Sequence, residues 1–461
     1  AVSDPRIVTA DVGVVGAGPA GIAAAAALAR GGLSVAVLDE GPAAGGQIFR
    51  QLPNDASAAA IAEPPSHHHG HALLQQFAGS NVQHLRGAVV WDARPGRLWF
   101  EHDGQSKLLR CQRIVLAPGA YDRCVPFPGW TLPGVVTAGA LQVMVRGFGI
   151  VPGKRAVVAG SGPLLLPTVT ALLSAGVQVV AACEASSRWR ALRALPGVFG
   201  NGARFREALW YGKQLLRAGL RLRWGWTIVG CDGDGRVQRA TIAKVDGEGR
   251  PRPGTEQHFD VDVVGAGFGL VPSIELGLVL SCAARHDAAR GGHVLTVDDA
   301  QRTSVAGVFA AGEIAGIGGA EVATAEGELA AAAVLHELRG AAIPSALRAK
   351  ARRERRAADA MLRAFAPLPG LAALAKPDTI VCRCEDVPLA RAQQAAALHG
   401  GSLRAIKVGC RAGMGPCQAR ICGPSLQALA CGTPGQPMDL PVAQVPVKVV
   451  RSETIRSAPA D

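Results

Sequence analysis

After Asp11 the chain is apolar on successive residues to Val15, and Asp11 to Val15 reads as a strand buried on both faces. A glycine-rich break follows, then an alanine-rich stretch to Gly31-Gly32, then a second apolar run, Leu33 to Leu38, that ends in Asp39-Glu40. This order predicts strand, helix, strand. The same succession returns later: Ala156 to Ala159, a glycine break, an apolar stretch, and Val177 to Ala182, ending at Glu184. No charge falls between Ala156 and Cys183, a length that could cross a bilayer. Gly160, Ser161, Gly162, Pro163, Pro167 and Gly176 nevertheless stand where a strand, a turn and a helix need them, so a buried βαβ unit is expected. A third apolar run, Thr303 to Ala311, delivers Gly312 and Glu313 to the start of a helix that Gly318-Gly319 opens and that ends near Leu335.

The first break reads Gly16-Ala17-Gly18-Pro19-Ala20-Gly21. In a βαβ unit Gly16 makes the tight turn, Gly18 lets the backbone approach a pyrophosphate, and Gly21 lets helix and strand pack closely. An acid closing the second strand takes ribose hydroxyls; the spacing favours Asp39, with Glu40 next. Gly45-Gly46-Gln47 follows that acid, where many FAD enzymes run the chain back past the flavin, and the late Gly312-Glu313 segment resembles the one that meets the ribityl-pyrophosphate region in two-dinucleotide flavoproteins, so FAD is favoured over NAD. Leu116-Ala117-Pro118-Gly119-Ala120 and Gly265-Ala266-Gly267-Phe268-Gly269 read as the crossovers out of and back into this domain. The expected architecture is therefore α/β with two dinucleotide-binding domains. Residues 1–130 and 266–340 form a Rossmann-like FAD domain, and 131–265 an inserted NAD-type domain. A basic linker helix (341–376), a small helical cysteine domain (377–435) and a tail (436–461) follow.

In the inserted unit the acid Glu184 lies 24 residues after Gly160, against 23 between Gly16 and Asp39. Its third glycine, however, is Leu165, which should push the helix off the strand and spoil the phosphate approach. The expectation is a retained scaffold that does not work with NAD(P)H.

Composition narrows the classes further. The 461 residues include 48 basic and 36 acidic side chains, a net charge of +12, but only 4% aromatics and no zinc-finger or RNA-binding pattern, so no nucleic-acid partner is expected. Arg348, Lys350, Arg352, Arg353, Arg355 and Arg356 form a basic run on an expected helix, by default a solvated linker face, with a docking surface second. His67-His68-His69-Gly70-His71, after Pro64-Pro65, is expected to be a polar surface loop rather than a metal site. Asp4, Arg6 and Asp11 interrupt any apolar run at the start, so no secretory leader is expected and a cytoplasmic location is.

Eleven cysteines are unevenly placed: five are scattered from Cys111 to Cys282, and six crowd between Cys382 and Cys431. Scattered cysteines are usually small buried hydrophobes, the expectation for Cys124 beside the flavin position. No cysteine pair sits there, against a thioredoxin-reductase or lipoamide-dehydrogenase mechanism. In the crowd, Cys382-Arg383-Cys384 and Cys417-x4-Cys422 can bring four thiolates to one centre, fitting a [2Fe-2S] cluster or zinc. Zinc knuckles more often use paired C-x2-C. Cys410 is a rival ligand through Cys410-x6-Cys417, and Cys431 the weakest candidate.

Three segments carry a family resemblance over roughly Val8 to Gly423. They are Val14-Val15 with the glycine motif to Gly21, Gly312-Glu313-Ile314-Ala315-Gly316-Ile317-Gly318-Gly319-Ala320, and Arg411-Ala412-Gly413-Met414-Gly415-Pro416-Cys417-Gln418. The chain resembles the α (A) subunits of heteromeric amine dehydrogenases, among them opine oxidases, D-hydroxyproline dehydrogenase and hydrogen cyanide synthase. Its end is similar to the bacterioferritin-associated-ferredoxin type of [2Fe-2S] domain, whose four cysteines map onto Cys382, Cys384, Cys417 and Cys422. Many relatives would carry cysteine where Ala412 stands, and its absence favours Cys417 and Cys422 as the second pair; two-dinucleotide flavoproteins usually carry Asp where Glu313 stands.

The resemblance implies a β subunit of the D-amino-acid or sarcosine oxidase type, with its own flavin, that oxidises an amine or amino-acid derivative. This chain would pass electrons through FAD and the cluster. FMN at the interface between subunits, membrane association of the complex and a small ferredoxin-like subunit would all be compatible with it, although no transmembrane segment is expected here. No catalytic base or carboxylate clamp stands out in the sequence. The alternatives are a self-sufficient NAD(P)H-dependent flavin reductase and the glycine-oxidising hydrogen cyanide synthase.

Overall fold

The computed structural model describes residues 4–51, 63–193, 202–399, 401–430 and 443–460. The opening apolar run forms the strand Ile7–Val15, the alanine-rich stretch the helix Pro19–Arg30, and the second run the strand Val35–Asp39. Proline at the first helical position costs nothing, because its missing N–H has no partner there. The first sheet runs Gln83–Arg86, Val35–Asp39, Ile7–Val15, Gln105–Leu116, Arg97–His102, Val89–Arg94. Val308–Ala310 joins it parallel to the end of Gln105–Leu116. The helix Ala320–Arg339 packs along Pro19–Arg30, where Gly327 permits contact: a Cβ on it would lie 2.2 Å from the Ala20 carbonyl oxygen.

Strands Ala120–Asp122 and Leu270–Pro272 pair antiparallel where the chain leaves and re-enters the first domain. Between them a five-stranded sheet runs Leu222–Trp224, Gln178–Glu184, Arg155–Gly160, Val263–Gly267, Val135–Thr137. A three-stranded antiparallel sheet, Trp226–Asp232, Arg239–Lys244 and Gln257–Asp260, stands beside it. The charge-free stretch folds as two strands flanking the helix Leu165–Ser174. Among the described residues no helix is long and apolar enough to cross a membrane.

Two expectations need correction. The histidine run is not a loop but the start of the helix Ser66–Ala78. Its turn spacing lets Glu63 meet His67 Nδ1 (3.7 Å) and His71 Nε2 (3.0 Å). The basic run, on the helix Ser345–Ala364, is not simply a solvated face. Ala351, Glu354 and Ala358 mark its buried side, and Arg355 reaches inward to Glu326 (Nη2 to Oε1, 2.7 Å). Lys350 pairs with Glu328 (2.7 Å), Arg352 with Asp299 (3.3 Å), and the first domain's Arg290 with Asp359 (2.7 Å).

Beyond that helix, Leu368, Leu371 and Leu374 enter the core of the inserted domain with Val157, Ala159 and Cys183. The cysteine-bearing segment has a core of its own, including Val381, Leu389, Ala396, Ile406 and Leu426. The described end of the tail returns to the first domain: Val447 N–H donates to Trp91 O (2.9 Å) and Trp99 Nε1–H to Pro459 O (3.2 Å).

Candidate functional site

The first glycine turn is shaped by what surrounds it. Gly16 adopts φ +99°, and a Cβ there would lie 2.2 Å from Ala117 O, so only glycine fits. A Cβ at Gly21 would lie 1.8 Å from Gly16 O, which explains the third glycine by close packing. Gly18 differs: only Gly46 Cα comes near, at 3.9 Å, so its outer face is open. The helix's Ile22 N–H bonds to Gly18 O (2.9 Å), and the amides of Ala20 and Gly21 precede that bond at the positive end of the helix. An open glycine before free helical amides is what a pyrophosphate needs, and these residues fit FAD.

The two candidate acids separate. Asp39 accepts from Ala17 N–H (2.5 Å) and Gly41 N–H (2.6 Å), holding the loop. Glu40 is exposed and pairs with Lys448 Nζ (2.9 Å) of the tail, away from the turn. Gly46 lies against Gly18, Gln47 meets Arg50, and Gly119 O accepts from Ser273 N–H (3.0 Å) at the crossover. Glu313 accepts from Gly318 N–H (3.1 Å) and Gly319 N–H (2.9 Å), clasping the loop that opens the helix Ala320–Arg339. Burial pushes its carboxyl up, and the two amides oppose the shift. Glu326 accepts from Gly312 N–H (2.9 Å) and is neutralised by Arg355, whose Nη1 also donates to Gly316 O (2.7 Å). The Glu326–Arg355 clamp joins residues 29 apart, out of reach of any sequence pattern.

The second glycine turn keeps part of this plan. Gly160 again abuts a neighbouring strand, since a Cβ would lie 1.7 Å from Gly267 O, and Gly162 again faces open space. Glu184, only 2% exposed, accepts from Gly162 N–H (2.8 Å) and Ser186 N–H (2.8 Å), and burial pushes its carboxyl up. The helix, however, starts at Leu165 instead of at Pro163, the counterpart of Pro19. Leu165 N–H and Leu166 N–H are spent on turn bonds to Gly162 O (3.2 Å) and Pro163 O (3.3 Å). Ser161 Oγ lies 3.5 Å from Phe365 O, where the chain crosses this turn.

All ten described cysteines are free, and Cys431 lies outside the described residues. Cys382, Cys384, Cys417 and Cys422 line one cavity of about 340 Å³. The four thiols act on one another's titration. The neighbouring Cys422 thiol brings Cys382 down to about 6 and Cys417 to about 5, and is itself raised by them. Gly413 N–H also points at Cys382 Sγ (3.4 Å). Cys410 is not on this cavity; its thiol donates to Ile406 O (3.1 Å) within its own helix. Among the described residues no three His, Cys, Asp or Glu side chains stand close enough together to hold a metal ion as they are. The fit rests instead on donor chemistry, four soft thiols around one space, and on the opposite wall.

That wall belongs to the first two domains, a pairing the sequence did not signal. Arg123, Cys124 and Trp130 line it, with Thr137 and Phe268. Cys124, expected to pack inertly beside the flavin, faces the four cysteines, and burial raises it to about 12. Arg123 Nη2 donates to Gly291 O (2.7 Å), but its Nε is sealed from solvent without a hydrogen-bond partner. The cysteine segment is pinned beside the crossover by Arg420, whose Nε lies 3.2 Å from Glu275 Oε1; Tyr121 OH donates to the same carboxylate. A second pocket, about 500 Å³, lies by Arg113, Arg302 and Glu337, whose charges satisfy one another.

Comparison with known proteins agrees with the fold. The family model for pyridine nucleotide-disulphide oxidoreductases matches residues 10–328. The A subunit of opine oxidase from Rhizobium meliloti (strain 1021) is 34% identical over 436 residues, 92% of each chain. The HcnB subunit of hydrogen cyanide synthase from Pseudomonas aeruginosa is 30% identical, over 89% of this chain and 90% of that protein. In solved structures, L-proline dehydrogenase from P. horikoshii superposes with a TM-score of 0.70 at 20% identity, over 98% of this chain and 80% of that one. Thioredoxin reductase from T. acidophilum reaches 0.50 at 21%, over 71% and 98%. The chain belongs to the pyridine nucleotide-disulphide oxidoreductase family and is an FAD-type, flavin-dependent oxidoreductase.

Proposed function

We propose that this chain is the electron-transfer subunit of a heteromeric dehydrogenase that oxidises an amine or amino-acid derivative, holding FAD in the first domain and a [2Fe-2S] cluster between Cys382, Cys384, Cys417 and Cys422. The observation that carries this reading is the convergence of those four cysteines on one cavity walled by the crossover of the flavin domain. FAD takes up electrons in pairs and releases them singly, and the cluster carries one at a time. The chain's residues bind and position: Gly18 and the amides of Ala20 and Gly21 receive the pyrophosphate, Asp39 faces the ribose, and Glu313 and Glu326 hold the loop before the second helix. None is assigned proton transfer with substrate. That chemistry falls to a partner with its own flavin, in keeping with the names of the relatives, which are themselves subunits of oxidising enzymes. A small ferredoxin-like subunit or an FMN at the interface would be compatible with this arrangement. The inserted domain serves as a scaffold that does not use NAD(P)H, because its helix amides are spent within the turn.

The test is iron and acid-labile sulfide per chain, with electron paramagnetic resonance after dithionite. Serine at 382, 384, 417 or 422 should abolish both, and Cys410→Ser should leave them nearly intact. Cluster loss in Cys410→Ser but not in Cys422→Ser would overturn the ligand set, and zinc throughout would overturn the relay.

A further inference from the structure

The cavity beside the four cysteines carries two cations without a carboxylate. Arg123 enters it from the crossover, and among the described ion pairs it has none. Its guanidinium donates to Gly291 O (2.7 Å), while Nε is shut from solvent and unpartnered. Arg383 stands between Cys382 and Cys384 and lines the same space, its guanidinium 5.6 Å from the Trp130 ring centroid. The remaining wall is mostly apolar, with Phe127, Val135 and Phe268. A buried donor left unsatisfied is costly, and a guanidinium beside an apolar wall more so, unless the space holds an anion. Burial alone presses Arg123 below its usual value, as expected of a cation short of a counter-charge.

We infer that Arg123 and Arg383 are the counter-charges of the cluster and set its reduction potential, Arg123 from the flavin side and Arg383 from the solvent side. This rests on the cluster reading above. A cluster held by four thiolates carries net negative charge, and more of it when reduced. Fixed positive charge at its edge therefore favours the reduced state and raises the potential. The position of Arg123 gives it a second role. Gly291, which it holds, packs on Ile317: a Cβ there would lie 2.6 Å from Ile317 Cγ1. Ile317 N–H in turn bonds Arg290 O (3.0 Å), immediately before the Gly318-Gly319 turn. The guanidinium thus stands on the path from the cysteines to the segment that faces FAD, and positions that path as well as charging it.

The experiment is a potentiometric titration of the purified full chain, followed by electron paramagnetic resonance, on the wild type, Arg123→Gln, Arg123→Lys and Arg383→Gln. Iron and sulfide are assayed on the same samples. Arg123→Gln should keep its iron and sulfide but shift the midpoint to more negative potential, so that it is mostly oxidised where the wild type is half reduced. Arg123→Lys, which keeps the charge, should stay near the wild type, and Arg383→Gln should shift the same way by less. If Arg123→Gln does not accumulate as folded yellow protein, Arg383→Gln alone decides, and an unmoved midpoint there overturns the inference. Unmoved midpoints in both glutamine variants, with iron intact, overturn it while leaving the cluster in place. Absence of iron and sulfide from the wild type itself overturns the cluster reading instead.

Discussion

The βαβ unit at the start of the chain and the one in the inserted domain share a turn, an acid and a spacing, yet they offer a phosphate different things. In both, the first glycine abuts a neighbouring strand, and in both the acid holds loop amides, through Asp39 or Glu184. Both second glycines face open space. The difference lies one step on. The first helix starts at Pro19 with the amides of Ala20 and Gly21 free, whereas the second starts past Pro163, at Leu165, and the Leu165 and Leu166 amides close a turn. Leu165 is then buried where the inserted domain needs a core residue, packed toward Gly267. An intact fold does not by itself supply the free helical amides that an anion site needs, and on the proposed scaffold reading the inserted unit keeps the first without the second.

Several substitutions would sharpen or break that contrast. The largest effect is expected from Gly18→Val. Its backbone is extended (φ −77°, ψ −177°) and a Cβ meets little, so the protein should fold. The side chain would occupy the pyrophosphate space, and flavin absorbance per chain should fall to near zero. Stoichiometric FAD in that variant would place the site elsewhere. Next is the clamp behind the first site. Arg355→Leu strands the buried Glu326 carboxylate and should cost roughly 3–5 kcal/mol, read by denaturant unfolding, and weaken FAD retention. In the inserted unit, Leu165→Ala should cost about 2–5 kcal/mol for the cavity it opens, with flavin content unchanged. A fall in flavin content there would mean that the two units are coupled. The smallest effect is expected from Glu40→Gln. Its pair with Lys448 is exposed on both sides, so stability should change by at most about 1 kcal/mol, with no loss of FAD.

What the sequence reveals follows the range of the interactions. The first unit is legible because its turn, helix and acid lie within 23 residues and each glycine answers a local constraint. Leu165 is legible as a departure, but the form of the departure is not. The helix starts at Leu165, two residues past Pro163, a shift that the motif alone does not show. The histidine run reads as a loop since polar composition alone hides a turn-spaced contact from Glu63 to His67 and His71. The basic run misleads for the opposite reason: Ala351, Glu354 and Ala358 already carry helical spacing, but which charge turns inward depends on Glu326 across the fold. Of the cysteines, spacing leaves Cys410 open as a rival, and the family resemblance supplies the set of four that lines the cavity. That they face Arg123 and Cys124 is not legible, because the docking of one domain on another leaves no periodicity.

The most direct measurement of the contrast between the two units is anaerobic addition of NADH to the yellow, full-length chain, with flavin absorbance followed over time and dithionite added last. Because the inserted unit's helix amides are committed to its turn, NADH should leave the flavin oxidised while dithionite bleaches it fully. Rapid bleaching by micromolar NADH would contradict the scaffold assignment and make the chain a nicotinamide-dependent reductase in its own right.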